Sequence, residues 1–207
     1  MFFPPRKTVL SYFLEPQTEP SSSSPESSPF HSSTPLPATQ PSIAQPPVTT
    51  MDIFCDGACI GNGSARARAG FGLYVTLHGA RLTEVSEALD RSELHTNQRA
   101  ELRALERALE FAAESEHKNR IFTDSMYSIN CITVWAPQWK AHNWCKTGQK
   151  EEIQHKDIIT HAYDLWLRVK DRTTIEHVRA HTGKMDYKSL GNKYADELAS
   201  RSLSLRS

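Results

Sequence analysis

The chain has no CxxC pair. Its four cysteines, Cys55, Cys59, Cys131 and Cys145, are scattered, so neither a disulfide framework nor a structural zinc site is expected. No segment approaches the ~18 apolar residues of a membrane span, and no convincing secretory signal is present, so the expectation is a reducing compartment without a membrane partner. The nucleus is the first expectation, with mitochondrion or cytoplasm as alternatives. Neither charge is in excess, with 24 Lys+Arg against 24 Asp+Glu, which argues against a histone-like or polybasic protein. Glycine is missing from residues 1–50, and proline is nearly missing from the rest. Eleven of the 12 prolines lie in 1–50 with 10 Ser and six Thr, and only Pro137 lies beyond. A stretch so poor in aliphatic side chains cannot bury enough apolar surface to offset the entropy of ordering it. Residues 1–50 are therefore read as a disordered Ser/Pro-rich tail and 51–207 as the folded domain.

Within the tail, residues 1–14 differ, crowding Phe2, Phe3, Val9, Leu10, Tyr12, Phe13 and Leu14 into one patch. Pro4, Pro5, Glu15 and Pro16 disfavour a secretory signal or a mitochondrial presequence. Two further readings stand beside these, an adhesive N-terminus without a partner and a docking peptide. Residues 6–13, RKTVLSYF, resemble the sliding-clamp-binding box, an aliphatic residue followed three and four positions later by two aromatics, with Arg6 where Gln is usual. One helical turn would set Val9, Tyr12 and Phe13 on one side as apolar anchors.

The domain opens with strand patterns at 53–55 (ending at Asp56-Gly57), 69–77 and 82–89, joined in succession with a turn at His78-Gly79, as in an antiparallel meander. The period then changes. Leu102, Leu105, Leu109 and Ala112 recur at helical spacing from a start at Thr96-Asn97 to about 116. A strand at 120–123, a helix at 125–135, an irregular stretch at 137–150, a helix at 156–169, a strand at 173–178 and a helix at 192–203 follow. The order specifies an α/β domain, a mixed sheet covered by helices.

Asp56 and Asp124 each follow the last apolar residue of a strand pattern, so parallel neighbouring strands would bring both to one end of the sheet. Glu101 shares its helix face with Leu105, Ala108 and Ala112, the face that packs on the sheet, where an ionised carboxylate is costly unless paired or metal-bound. Asp196 stands in the first turns of the last helix. Each has an ordinary explanation taken alone: Asp56-Gly57 a turn, Asp124-Ser125 a helix cap, Asp196 a partner for a helix N-terminus. Four acids that can converge from two strands and two helices are harder to explain so.

Five segments in order, IFCDGACIGNG, TNQRAEL, FTDSMYSIN, HVRAHTG and GNKYADELA, span about 150 residues and closely resemble the ribonuclease H family, specifically the eukaryotic type 1 catalytic domain. The resemblance implies a ribonuclease H-like fold, a five-stranded mixed sheet of order 3-2-1-4-5 flanked by helices. It implies cleavage of the RNA strand of RNA–DNA hybrids to 5′-phosphate and 3′-hydroxyl ends, and an Asp-Glu-Asp-Asp metal site at Asp56, Glu101, Asp124 and Asp196. Such hard oxygen ligands suit two Mg²⁺ ions, with Mn²⁺ as a substitute, rather than zinc. Asp56, projecting from the central strand, is the expected bridging ligand. His181, in AHTG, matches the family's mobile histidine that relays a proton or helps product leave, although the spacer to Asn192 is longer than the family's short form. His177 is expected to be structural.

The resemblance also places Cys59, Asn62, Asn97 and Gln98 along the RNA strand, where amides can donate to and accept from a 2′-hydroxyl. It places Tyr127, Trp135 and Trp139 in the channel for the DNA sugar-phosphate, and Thr96 in a phosphate pocket. That pocket's usual Arg is Leu94 here and its Asn is Gln154, so Arg99, Lys150 or His95 are candidates to rebuild it. Trp166 is assigned to the core. Lys140, Lys146, Lys150 and Lys156 interleave with Trp139 and Trp144 and could reach phosphates nonspecifically. The expected partner is an RNA–DNA hybrid and the expected state a monomer. Two alternatives are a retroelement-derived ribonuclease H, which the tail with no polymerase before it disfavours, and a non-cleaving hybrid-binding module, which the four acids disfavour. No separate N-terminal hybrid-binding domain is expected.

Overall fold

The computed structural model of the chain describes residues 49–146, 151–180 and 183–204. The peptide 6–13, Lys150 and His181 lie outside the described residues. Five strands, β1 (Thr50–Ile60), β2 (Arg68–Leu77), β3 (Ala80–Ala88), β4 (Lys118–Thr123) and β5 (Thr173–His177), form one sheet in the order β3-β2-β1-β4-β5. The β1–β2 and β2–β3 pairs are antiparallel, and the β1–β4 and β4–β5 pairs are parallel. This is the order that the family resemblance implied. The β2–β3 turn is tight because His78 and Gly79 both take positive φ, 52° and 79°, the twist that suits a two-residue hairpin.

Helix α1 (Asn97–Glu114) packs on β1 and carries α4 (Lys156–Val169) on its outer side, while α5 (Tyr187–Ser202) covers β1 and β2 on the opposite face. The result is three layers with the sheet in the middle. Helix α1 is built of Ala, Leu, Glu and Arg without an internal Gly or Pro. It starts where the Thr96 side chain accepts from the Arg99 N–H at 3.2 Å. Its buried stripe, Leu102, Leu105, Leu109 and Phe111, meets Ile53, Leu73 and Ile121 among the fully buried residues. Beyond β4 come α2 (Met126–Asn130), a π-helical turn at Cys131–Trp135 and α3 (Ala136–Ala141).

Several boundaries differ from the sequence reading. β1 does not stop at Asp56 but runs to Ile60, still paired with β2. The irregular stretch expected from 137 is helical as far as Ala141. Pro137 lies in the first turn of α3, where its missing N–H is not needed. Helix α1 ends at Glu114, two residues early, where the Ser115 N–H caps Phe111 O at 3.1 Å. Helix α5 begins at Tyr187, five residues early, capped by Asp186, whose carboxylate accepts from the Ser189 N–H at 3.1 Å. Gly191 lies inside the helix, where the Phe54 ring occupies the place of a side chain: a Cβ there would stand 2.4 Å from the ring.

Candidate active site

The parallel ladder between β1 and β4 ends at Phe54 opposite Phe122. Two residues further on each chain come Asp56 and Asp124, at the fork where the two strands part. Asp56 shares a face with Phe54 by strand alternation, and that face is covered by α5. It is opposite Gly72 on β2, and a Cβ on Gly72 would stand 2.4 Å from Ala195 O and from Ala199 N. The glycine thus lets α5 approach the sheet closely at the turn that carries Asp196. Gly57 does the same for the other face, since a Cβ on it would stand 2.3 Å from Glu101 N and 2.4 Å from Ala100 C. Consecutive residues of β1 therefore offer a carboxylate to one helix layer and a gap to the other. Glu101, Asp124 and Asp196 lie within electrostatic reach of Asp56 at this end of the sheet.

The hydrogen-bond partners of Asp56, Glu101 and Asp124 are two amides, one hydroxyl and a backbone N–H. Asp56 Oδ1 accepts from the Gly57 N–H at 2.7 Å. Glu101 accepts from Asn97 Nδ2 and from Ser125 Oγ, each at 2.6 Å. Asp124 Oδ2 accepts from Asn192 Nδ2 at 3.2 Å. Among the described residues no basic side chain pairs with any of the four. Buried or half-buried acids elsewhere are compensated: Asp52 by Arg120 at 2.7 Å, Glu106 by Arg103 at 2.6 Å, Glu93 by Arg99 at 2.9 Å. Burial, then the charges of Asp124, Asp196 and Glu101, push the Asp56 carboxyl up to about 8 against the pull of its Gly57 bond. Burial and Asp124 also raise Glu101, opposed by its Ser125 and Asn97 bonds.

Among the described residues no three Asp, Glu, His or Cys side chains are drawn into a group that could hold an ion. The acids are in electrostatic reach of one another rather than closed on one point. What fits a hard divalent cation is the chemistry of the set: carboxylate oxygens without a basic partner among the described residues, with no thiol or imidazole among them.

The expected substrate-facing residues fall into two groups flanking Glu101. On one side Cys59 Sγ lies 3.7 Å from His95 O and 3.9 Å from Asn62 Oδ1, which accepts from the Asn97 N–H at 3.3 Å. Asn62, Asn97 and Gln98 are exposed, and Thr96 is occupied as the helix cap. On the other side Tyr127, Trp135 and Trp139 form a chain of rings with centroids 6.2 and 5.6 Å apart. The π-helical turn at Cys131–Trp135 lies within this chain, a kind of irregularity that recurs at functional sites. Gln154 is exposed at the start of the α4 side, outside both groups.

Two candidates for rebuilding a phosphate pocket are otherwise engaged. Arg99 is buried, its guanidinium bonding Glu93 at 2.9 Å and Asp157 at 3.1 and 2.5 Å. His95 Nδ1 accepts from the Ala69 N–H at 2.9 Å, and its Nε2 is 2.9 Å from Asp90 O. Both fasten loops, because charged and polar groups so enclosed must be paired internally. His177 Nε2 lies 3.1 Å from Asp124 O. Trp166 is half-buried at the surface of α4 rather than in the core. Sequence reasoning passed over Ser125, which holds Glu101, and Asn192, which holds Asp124. Asn192 stands four residues before Asp196 in the same helix, so helical spacing was the available signal.

With this geometry in hand, comparison with known proteins is direct. A family model described as RNase H matches residues 48–204. Ribonuclease H of Schizosaccharomyces pombe is 36% identical over 153 residues, covering 73% of this chain and 52% of the relative. Ribonuclease H1 of Homo sapiens is 33% identical over 154 residues, covering 71% and 48%. Ribonuclease H of Francisella philomiragia is 34% identical over 150 residues, covering 72% and 88%. The chain belongs to the ribonuclease H family. It spans about half the length of the first two relatives. Among solved structures, the PFV RNase H domain superposes with a TM-score of 0.62 at 24% identity, covering 75% of this chain and 94% of that one. LC9-RNase H1, described as a type 1 RNase H with the type 2 active-site motif, gives 0.51 at 22%, covering 79% and 76%. These two likenesses bear on the fold.

Proposed function

We propose that the chain is an endoribonuclease that hydrolyses the RNA strand of RNA–DNA hybrids with two divalent ions, leaving 5′-phosphate and 3′-hydroxyl ends. One observation carries the reading: four carboxylates from four elements converge at a strand fork without a basic partner among the described residues, and one is pushed up to about 8. Family membership supports the substrate. Asp56, Glu101, Asp124 and Asp196 would hold the ions, Mg²⁺ or Mn²⁺. When bound, two such ions supply an activated water, a clamp on the scissile phosphate and neutralisation of the leaving 3′-oxygen.

The chain's own residues do the rest. The exposed amides of Asn62, Asn97 and Gln98, with Cys59 beside them, face a 2′-hydroxyl as donors and acceptors. Tyr127, Trp135 and Trp139 offer an apolar wall to a strand without 2′-hydroxyls. His181 takes or gives a proton at its imidazole. Residues 6–13 serve as a docking peptide for a sliding clamp.

Asp124→Asn tests the site. It should abolish cleavage of a labelled hybrid in Mg²⁺ while leaving hybrid binding intact, and duplex DNA should resist the wild type. Undiminished cleavage by the variant would refute the site, and appreciable cutting of duplex DNA would refute the 2′-hydroxyl reading. A non-cleaving module would instead bind the hybrid and leave it whole under every metal condition.

A further inference from the structure

Asn192 is 4% exposed, and its two amide atoms are treated differently. Nδ2 donates to Asp124 Oδ2 at 3.2 Å, while the buried Oδ1 has no hydrogen-bond partner among the described residues. The orientation is set by charge, since turning the amide over would place Oδ1 against a carboxylate oxygen. A buried carbonyl oxygen left unpaired carries its full desolvation cost, so a residue kept for packing alone is poorly served by an amide here. The backbone leaves it little freedom. The preceding Gly191 is pressed under the Phe54 ring, and the first turn of α5 is tied to the sheet by Tyr187 Oη, 2.7 Å from both Asp52 Oδ2 and Thr76 Oγ1. Asn192 and Asp196 are one turn apart on α5 and so share the face that meets Asp124.

Resting on the ribonuclease reading, we infer that Asn192 is a positioning residue of the cation site. Its Nδ2–H fixes the Asp124 carboxylate, and its Oδ1, which no described residue engages, would be a neutral oxygen available to that site. A neutral amide adds an oxygen without adding a fifth negative charge to a set that already repels itself.

The test titrates Mg²⁺ into the full-length chain without nucleic acid, following the midpoint of thermal unfolding and the heat of binding, and runs hybrid cleavage in parallel. Asn192→Ala should weaken Mg²⁺ affinity about 10–100-fold, the usual cost of losing a group that orients a metal ligand. It should lower kcat while KM for the hybrid stays within about twofold, as for an interaction outside substrate binding. A purely structural asparagine would lower the unfolding midpoint equally at every Mg²⁺ concentration with affinity unchanged, and that result overturns the inference. If Asn192→Ala does not fold, Asn192→Asp keeps the volume. Its extra carboxylate should make Mg²⁺ raise the midpoint more than in the wild type, with kcat reduced, and an equal rise overturns the inference. A wild type that binds Mg²⁺ and cleaves, beside variants that do the same, removes only the role of Asn192. A wild type that does neither removes the ribonuclease reading.

Discussion

Replacing Gly57 by alanine separates the part of the site that the backbone supplies from the part that the acids supply. The added Cβ would lie 2.3 Å from Glu101 N and 2.8 Å from Glu101 Cα, against the ~3.5 Å of an ordinary contact. Both obstacles are helix backbone, so neither can rotate away, and α1 must withdraw from β1 by about 1 Å. Overpacking of this kind costs about 1–3 kcal/mol, or a fall in unfolding midpoint of roughly 2–12 °C for a domain of this size. The functional cost is larger, because Glu101 rides on the displaced turn. A misplacement of about 1 Å can lower a rate ~100-fold. Cleavage of a labelled hybrid and thermal unfolding should therefore show Gly57→Ala folded, moderately destabilised and about 100-fold slower. Gly79→Ala is the control: φ is 79° and nothing lies within 4 Å of its Cβ, so it should lose about 1 kcal/mol to backbone strain with kcat unchanged. Wild-type turnover by Gly57→Ala would refute the claim that this glycine sets the position of Glu101.

The same glycine marks what the sequence could and could not disclose. Asp56 and Asp124 were legible as acids after apolar runs, and the switch from meander to helical crossover was legible as a change of period. Glu101 was legible because it interrupts the buried stripe that Leu105, Ala108 and Ala112 continue. Periodicity reports which face of an element is buried, but not how closely two elements approach. Gly57 therefore reads as part of a turn at a strand end, and what Gly57 and Gly72 make room for shows only when the helices above them are seen. The role of Gly191 was hidden for the same reason, since nothing in the sequence shows that the Phe54 ring lies over it. Arg99 and His95 misled differently. A basic residue beside a phosphate-site motif is as well suited to an internal acid as to a phosphate, and only the proximity of Glu93, Asp157 and the Ala69 N–H decides between them.

Two further outcomes follow from other parts of the chain. Immobilised peptide 1–17 should retain a sliding clamp and lose it on Tyr12→Ala with Phe13→Ala, and retention no higher than background would dispose of the docking reading. His155 should make stability depend on pH. It is buried with φ 58° at the start of α4, its Nδ1 3.5 Å from Arg99 Nη1. Burial first and the Arg99 charge second lower its pKa from the ordinary 6.5, with Asp157 opposing them. The unfolded chain thus binds the proton more readily than the folded one, so the contribution of the neutral imidazole is complete above pH 6.5 and is lost as pH falls through the lower folded value. His155→Asn retains a residue that tolerates the left-handed backbone and removes the titration. Wild-type unfolding free energy should fall more steeply than the variant's below about pH 6.5, by at most ~1.4 kcal/mol per pH unit for one proton. Parallel urea-unfolding curves for the two proteins across that window would show that the buried imidazole carries no such linkage.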